Sequence, residues 1–266
     1  MEKKVLVVTA TLGNRKSLDK TIKSVKDIGK NFVKHVIVCP NNVIPYLRNK
    51  YGNSIDYIAE PEDKKGIYPA LNKGFYTFGH DYEYMTFIND DDYWLPNFKI
   101  LIDTILSDNS LDLVYARTKY VDEYNNYIAS QTSYPWFNRY ASFNKVGINI
   151  LTQQATIIKS KWFFEQNGFE ERFKLVSDAV FWIKLSQKKI NYKYINEVVA
   201  GYTVQKGQLS SLPIGNEERV SYLKDFSYIK EASVFEILLY RLINLPVYVK
   251  RLILAKSINN PLGIYK

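Results

Sequence analysis

The chain has 266 residues, of which 46% are hydrophobic and 24% charged, and this balance excludes a disordered chain, a collagen-like fibre and a disulfide scaffold. Cys39 is the single cysteine, so no intramolecular disulfide can form, which suits a reducing cytosol. The net charge of +9 is compatible with nucleic acid, an anionic membrane or a phosphorylated substrate. We expect neither an export signal nor a transmembrane helix, because no apolar run is long enough.

Short apolar runs alternate with helical patterns over the first 115 residues. The pattern predicts strands at residues 5–9, 36–39, 55–59, 84–88 and 113–116. It predicts helices at residues 17–28, 45–51 and 67–78, and a fourth that begins near Pro96. Strands and helices in this alternation form βαβ units, so we predict an α/β fold with a mostly parallel central sheet flanked by helices.

The second half of the chain has a looser pattern, with a helix predicted at residues 180–188 and a strand at 192–199. We expect one catalytic domain over residues 1–215, with halves at 1–116 and 117–215, and a C-terminal helical extension over 216–266. From Arg219 onward the sequence contains eight Lys or Arg residues and three acidic residues. The charges favour an anionic membrane surface, whereas the length of the apolar stripe favours packing on the domain or on a second subunit. We expect protein contact as the main role of this tail, with weak membrane association as a second role.

Three polar clusters follow predicted strands, at residues 9–15, 40–42 and 89–92. Ligands of parallel sheets bind beyond the carboxyl ends of the strands, so we expect these clusters to converge on one crevice. The sequence Asn-Asp-Asp-Asp at residues 89–92 is the most informative, because its oxygens suit a hard divalent cation that can hold a diphosphate. A solvated acidic turn is the alternative interpretation.

Five segments, in this order, resemble those of family 2 glycosyltransferases of GT-A fold, in particular members that build surface polysaccharides. They are VLVVTATLGNR at residues 5–15, GIYPALNKG at 66–74, FINDDD at 87–92, QAT at 154–156 and FKLVSD at 173–178. Two departures stand out. Residues 40–42 read Pro-Asn-Asn where the family commonly has an acidic residue, and Asn89 occupies the first position of the DXD metal motif.

The resemblance implies a nucleotide-sugar-binding half over residues 1–116 and an acceptor-binding half over 117–215. It implies Mn²⁺ or Mg²⁺ as cofactor, held by Asp91 and Asp92, although the choice among the three neighbouring carboxylates stays open. The implied donor-binding residues are Thr9, Thr11, Arg15, Asn41, Asp63, Lys65, Asn72, Asn89 and Asp90. Residues 206–210 resemble a loop that closes on the donor, with an ordinary surface turn as the alternative.

Asp178 is the expected catalytic base. It follows Ser177 and precedes an apolar helical stretch, so it lies at or near a helix N-terminus. An inverting transfer needs one base aimed at the acceptor hydroxyl, and apolar surroundings raise the proton affinity of a carboxylate. The alternative role is a plain helix N-cap, and one residue can serve both roles.

We therefore predict a hexosyltransferase that moves a sugar from a nucleotide-sugar donor to a hydroxyl of a glycan or lipid-linked acceptor, with inversion. The expected location is the cytoplasm, with peripheral contact to the inner face of the membrane, a homo-oligomer through the C-terminal helices, and no nucleic acid partner. One alternative is a sugar nucleotidyltransferase, but only Gly13 and Arg15 remain of the Gly- and Arg-rich loop that it needs. The other is a non-enzymatic basic adaptor, but the basic residues are scattered.

Overall fold

The computed structural model describes residues 4–205 and 212–257, so the predicted donor-closing loop at 206–210 lies outside the described residues. The strands are β1 (Val5–Ala10), β2 (Val33–Cys39), β3 (Asp56–Ala59), β4 (Tyr84–Phe87), β5 (Tyr93–Trp94), β6 (Leu113–Asp122), β7 (Tyr127–Ser130), β8 (Thr156–Lys159) and β9 (Tyr192–Val204). The helices are α1 (Leu18–Gly29), α2 (Ile44–Tyr51), α3 (Ile67–Phe78), α4 (Lys99–Ser107), α5 (Tyr140–Lys145), α6 (Ser160–Glu165), α7 (Ser177–Ser186), α8 (Ile214–Asp225), α9 (Val234–Ile243) and α10 (Leu245–Ser257).

One sheet runs through the molecule in the order β3-β2-β1-β4-β8-β6-β9-β5, and β7 pairs with β6. The first four strands in this order pair in parallel, as the βαβ pattern predicts. Strand β8 then enters antiparallel between β4 and β6, so the sheet becomes mixed in its second half. The predicted α/β fold with flanking helices and C-terminal helices is confirmed.

Burial on both faces of the sheet explains why the sequence of β1 is apolar throughout and does not alternate with polar residues. Leu6 and Val8 belong to the core on one face of the sheet, whereas Val5 and Val7 belong to the core on the other face. A strand covered on both faces buries every side chain, which selects a continuous run of β-branched and aliphatic residues. The N-terminal half is therefore a central sheet with helices on both sides.

Helix α3 approaches the sheet unusually closely at Gly74. A Cβ atom at this position would lie 2.7 Å from Cγ1 of Val8 and 3.1 Å from Cγ2 of Val38. Glycine therefore lets the helix backbone rest directly on β1 and β2. This packing carries the N-terminal end of α3 towards the carboxyl ends of the same strands.

The second half of the chain departs most from the predicted elements. Strand β9 extends to Val204, five residues beyond the predicted end, and β6 extends to Asp122. These extensions pair with each other in parallel. Strands β5, β7 and β8 and helices α5 and α6 were not predicted, because each is only two to six residues long and carries no full hydrophobic period.

The C-terminal helices pack into the main core. Tyr222, Phe226 and Tyr240 are buried in the same cluster as the central strands. Arg219 donates to the backbone oxygen of Asn144 at 2.6 Å, which ties α8 to the end of α5. Side chains thus cross the predicted boundary at residue 216. Within the described ranges, no helix is both long enough and apolar enough to cross a bilayer.

The shared core generates a first prediction. Tyr222→Ala should lower the free energy of unfolding by about 3–5 kcal/mol, because it empties a fully buried aromatic site beneath α8. Tyr228→Ala is the matched control, because Tyr228 is 71% exposed and its replacement should cost no more than about 0.5 kcal/mol. Denaturant unfolding of both variants provides the measurement. Equal stabilities of the two variants would contradict the packing of Tyr222 in the shared core.

Candidate active site

Two polar loops meet where β1 and β4 end. Thr11 Oγ1 donates to Asp90 Oδ2 at 2.6 Å. The Arg15 guanidinium lies across both neighbouring carboxylates, with Nη1 2.8 Å from Asp91 Oδ2 and Nε 3.3 Å from Asp90 Oδ1. Strands β2 and β4 leave β1 on opposite sides, so this crevice is the switch point of the parallel half of the sheet. The first and third polar clusters of the sequence therefore converge as predicted.

A tight backbone turn brings the end of β2 to the same place. Gly13 has φ of 77°, and a Cβ there would lie 2.3 Å from Cγ1 of Val43. Only glycine combines this left-handed conformation with so close an approach. The backbone N–H of Gly13 also donates to Thr11 Oγ1 at 2.9 Å. Asn41 follows β2 in a short 3-10 turn and is exposed, and its role in donor binding stays a prediction.

Asp92 anchors the loop of residues 89–92, called the acidic loop below, in the protein interior. Its Oδ1 accepts from the backbone N–H of Thr203 at 2.9 Å, and its Oδ2 accepts from Gln154 Nε2 at 2.5 Å and from Asn89 Nδ2 at 3.2 Å. Both carboxylate oxygens are thus engaged by β9, by the segment before β8 and by the loop itself. These contacts hold the loop in position, and Asn89 takes part in them.

Asp91 carries the second set of contacts from β9. Thr203 Oγ1 donates to the backbone oxygen of Asp91 at 2.5 Å, and Gln205 Nε2 donates to Asp91 Oδ2 at 2.9 Å. The same Oδ2 accepts from Arg15. Asp91, which follows β4, is therefore bonded to residues at the ends of both β1 and β9.

The acidic loop is short of positive charge. Burial raises the pKa of Asp90 to about 6, although the Thr11 hydrogen bond and the Arg15 charge oppose this shift. Burial also raises the pKa of Asp91, and burial together with the Asp91 charge raises that of Asp92 well above its ordinary value. In the part of the chain that the structure describes, Arg15 is the one cation within ion-pair distance of these carboxylates. One guanidinium against three carboxyl groups leaves room for a further cation.

The carboxylates fit a divalent cation that is shared with a ligand. Among residues 4–205 and 212–257, no group of three or more His, Cys, Asp or Glu side chains is arranged to hold a metal alone. Mg²⁺ is commonly held by one or two carboxylates together with substrate phosphates, not by a closed protein cage. The buried oxygens of Asp90 and Asp91 offer such a partial ligand set. Asp92, predicted as a ligand beside Asp91, has both carboxylate oxygens engaged by protein donors, so Asp90 takes its place here.

Other predicted donor-binding residues lie apart from this cluster. Thr9 Oγ1 pairs with His35 Nε2 at 3.0 Å inside the sheet, where burial lowers the pKa of His35 to about 3. Asn72 is buried and holds the backbone of Phe169 through both its Nδ2 and its Oδ1 at 2.9 Å. The polar side-chain atoms of Thr9 and Asn72 are thus bonded to other parts of the protein, and their role in donor binding stays a prediction.

The loop before α3 holds the last two predicted donor-binding residues. Asp63 and Lys65 are exposed there, and Lys65 Nζ pairs with Glu60 Oε1 at 2.8 Å. Neither side chain contacts the acidic loop in the structure. Their role in donor binding stays a prediction.

Asp178 lies in the first turn of α7 and belongs to a second polar centre. The N-cap of α7 is Val176, which makes no side-chain cap bond, so Asp178 is not the cap residue. Its Oδ1 accepts a hydrogen bond from Tyr68 Oη at 2.9 Å. Burial raises the pKa of the Asp178 carboxyl, and the Tyr68 hydrogen bond opposes that shift. Asp178 is half-buried.

Helix α8 fixes the loop that leads to Asp178. Glu218 Oε1 accepts from the backbone N–H of Lys174 at 2.7 Å, and Oε2 accepts from that of Leu175 at 2.9 Å. Arg172 Nη2 lies 2.7 Å from Asp225 Oδ2 and adds a second link. The C-terminal helices therefore help to build the candidate site.

Several residues of these two centres were not predicted as site residues: Tyr68, Gln154, Thr203, Gln205 and Glu218. Tyr68 and Gln154 lie inside the quoted motifs, so the motifs already pointed to them. Thr203 and Gln205 would follow from a correct end of β9, because polar residues at strand ends line such crevices. No sequence pattern marks Glu218.

The comparisons with known proteins identify the family. The family model for glycosyl transferase family 2 matches residues 6–171, so the chain belongs to that family. This membership decides against the nucleotidyltransferase and the non-enzymatic adaptor. A comparison with curated protein sequences found no match.

Solved structures of S. aureus TarS share the fold. TarS 1–349 in complex with UDP-GlcNAc has 16% sequence identity and a TM-score of 0.60, over 79% of this chain and 61% of that one. TarS 1–349 in complex with UDP has 19% identity and a TM-score of 0.58, over 76% and 61%. The chain thus spans about three fifths of the length of these structures.

The bonds of Asp92 generate a second prediction. Asp92→Ala should lower the free energy of unfolding by on the order of 2 kcal/mol. The change leaves donors of Gln154, Asn89 and Thr203 without their acceptor inside the protein. Asp81→Ala, at an exposed position, should change it by no more than about 0.5 kcal/mol. Thermal and denaturant unfolding measure both. A fully stable Asp92→Ala variant would contradict the anchoring role.

Proposed function

We propose that the protein transfers a sugar from a nucleotide-sugar donor to a hydroxyl of a glycan or lipid-linked acceptor, in the synthesis of a cell-surface polysaccharide, and that it acts in the cytoplasm. The observation that carries the proposal is the pair of carboxylates Asp90 and Asp91 facing Arg15 and Thr11 at the switch point of the sheet. Membership of glycosyl transferase family 2 supports the reaction class. The TarS complexes with UDP and UDP-GlcNAc make a UDP-sugar the first donor to test.

Donor binding is assigned to the loops after β1 and β4. Asp90 and Asp91 would hold Mn²⁺ or Mg²⁺, which when bound neutralises the charge of the leaving nucleoside diphosphate. Arg15 supplies a permanent positive charge beside the same carboxylates, and a guanidinium can bind phosphate oxygens by two parallel hydrogen bonds. Thr11 orients Asp90, and Gln205 orients Asp91.

The chemical step is assigned to Asp178. Its carboxylate accepts the proton of the acceptor hydroxyl while the hydroxyl oxygen attacks the anomeric carbon. The bond from that carbon to the diphosphate oxygen breaks, and the nucleoside diphosphate leaves with the electron pair. A single base and direct displacement invert the anomeric centre. Tyr68 is a positioning residue, because its hydroxyl holds one carboxylate oxygen of Asp178.

The assignment of the metal generates a third prediction. Asp91→Asn should weaken Mn²⁺-dependent binding of UDP by at least about 10-fold, since even changes beside a metal ligand cost that much. Isothermal calorimetry with and without Mn²⁺ measures the effect. Asp81→Asn removes an exposed carboxylate elsewhere and should bind as the wild type does. Unchanged Mn²⁺-dependent affinity in Asp91→Asn would remove Asp91 from the ligand set.

The assignment of the base generates a fourth prediction. The wild type should transfer or hydrolyse sugar from at least one member of a nucleotide-sugar panel that begins with UDP-GlcNAc. Asp178→Asn should keep donor affinity and lose turnover by a factor on the order of 10² or more. Near wild-type turnover in this variant would exclude Asp178 as the base.

The pH dependence separates positioning from general structure. Asp178 must be ionised to act, so turnover should fall as pH drops through its raised pKa. Tyr68→Phe removes a hydrogen bond that favours the ionised form, so the acid limb of the pH–rate profile should move to higher pH. Turnover above that limb should remain within a few-fold of the wild type. A uniform loss at every pH would mean that Tyr68 acts only on packing.

A further inference from the structure

Helices α9 and α10 both expose apolar side chains, which together are called the apolar face. Its members are Val234, Phe235, Leu238, Leu242, Leu245, Val249, Leu252 and Ile253, and each is exposed by at least 45%. On α9 these positions recur at spacings of three and four residues, so they lie on one side of the helix. An exposed apolar face of this kind marks an interaction surface.

The opposite side of the same helices is firmly seated. Tyr240 is buried and donates to Thr132 Oγ1 at 2.5 Å. Asn244 is fully buried and exchanges hydrogen bonds with the backbone of Ser133 at 2.8 and 3.0 Å. Glu236 receives two hydrogen bonds from Arg139 at 2.5 and 3.0 Å. The docking of the helices on the domain therefore turns the apolar face outward.

Basic residues predominate along these helices after Glu236. Residues 237–266 contain five Lys or Arg and no Asp or Glu. Arg241 is exposed on α9 and Lys250 on α10. Glu236, the nearest acidic residue before this segment, is engaged by Arg139. An apolar face bordered by basic side chains is the pattern of a helix that lies in the interface of an anionic bilayer.

We propose that the apolar face of α9 and α10 docks on an anionic lipid bilayer, with its aliphatic side chains in the acyl boundary and Arg241 and Lys250 at the headgroups. A second copy of the chain fits less well. In a two-fold contact the same patch lies on both partners, so basic residues would face their equivalents without acidic partners. The inference does not depend on the sugar-transfer proposal, since it concerns a different surface.

Sedimentation with lipid vesicles tests this docking. The full chain should sediment with phosphatidylcholine vesicles that contain phosphatidylglycerol and stay largely unbound with pure phosphatidylcholine. Leu238→Gln combined with Leu242→Gln should weaken binding by at least about 10-fold, because two apolar side chains no longer enter the boundary. Arg241→Gln and Lys250→Gln should each weaken it about fivefold. Val220→Gln combined with Leu106→Gln is the matched control on α8 and α4 and should bind normally.

Folding and oligomeric state are measured on the same variants. Unfolding curves and sugar transfer like those of the wild type ensure that lost vesicle binding reflects the surface. A monomeric mass that does not change between wild type and Leu238→Gln/Leu242→Gln supports the bilayer. A dimer that this double change converts to a monomer, a lack of vesicle binding, or equal binding by the control and the double variant would overturn the proposal.

Discussion

The burial of three adjacent carboxyl groups at the end of β4 is the constraint on which the site depends. Carboxylates without water need hydrogen-bond donors or opposite charges, and an unmet need costs several kcal/mol. Here the donors come from segments far apart in the chain: Thr11 and Arg15 after β1, Gln154 before β8, and Thr203 and Gln205 at the end of β9. The acidic loop thereby holds together three strand ends, and a bound divalent cation would relieve the remaining shortage of positive charge.

The mixed half of the sheet follows from this requirement. Strand β9 runs parallel to β6 and antiparallel to β5, which directly follows the acidic loop. Its pairing with Tyr93 and Trp94 brings Thr203 and Gln205 beside Asp91 and Asp92. The β6–β9 ladder therefore positions donors for the acidic loop, and the strand must extend past Val199 to reach it.

The sequence predicted the parallel half of the sheet well because its signals are local. Continuous apolar runs such as residues 5–9 and 36–39 follow directly from burial on both faces. Helix α3 was predicted with its observed limits, since its buried face has a full helical period. The end of β9 was missed because Gly201 interrupts the apolar run and the mixed residues after it, Tyr-Thr-Val-Gln, are ordered by distant partners. For the same reason, composition and spacing indicated an acidic ligand loop but not which donors satisfy each oxygen.

Helix α3 connects the two polar centres of the molecule. Its glycine at position 74 rests on β1 and β2, so its position is set by the strands whose ends form the acidic crevice. Two residues earlier Asn72 holds the backbone of Phe169, and near the N-terminus of the helix Tyr68 donates a hydrogen bond to Asp178. The helix is thus packed on the donor-side sheet and bonded to the segment that leads into α7. A helix fixed in this way holds the acidic crevice and Asp178 at a set separation, which the proposed transfer needs. Glu218 of α8 holds the same segment, so Asp178, the proposed base, is positioned by residues that lie before and after it in the chain.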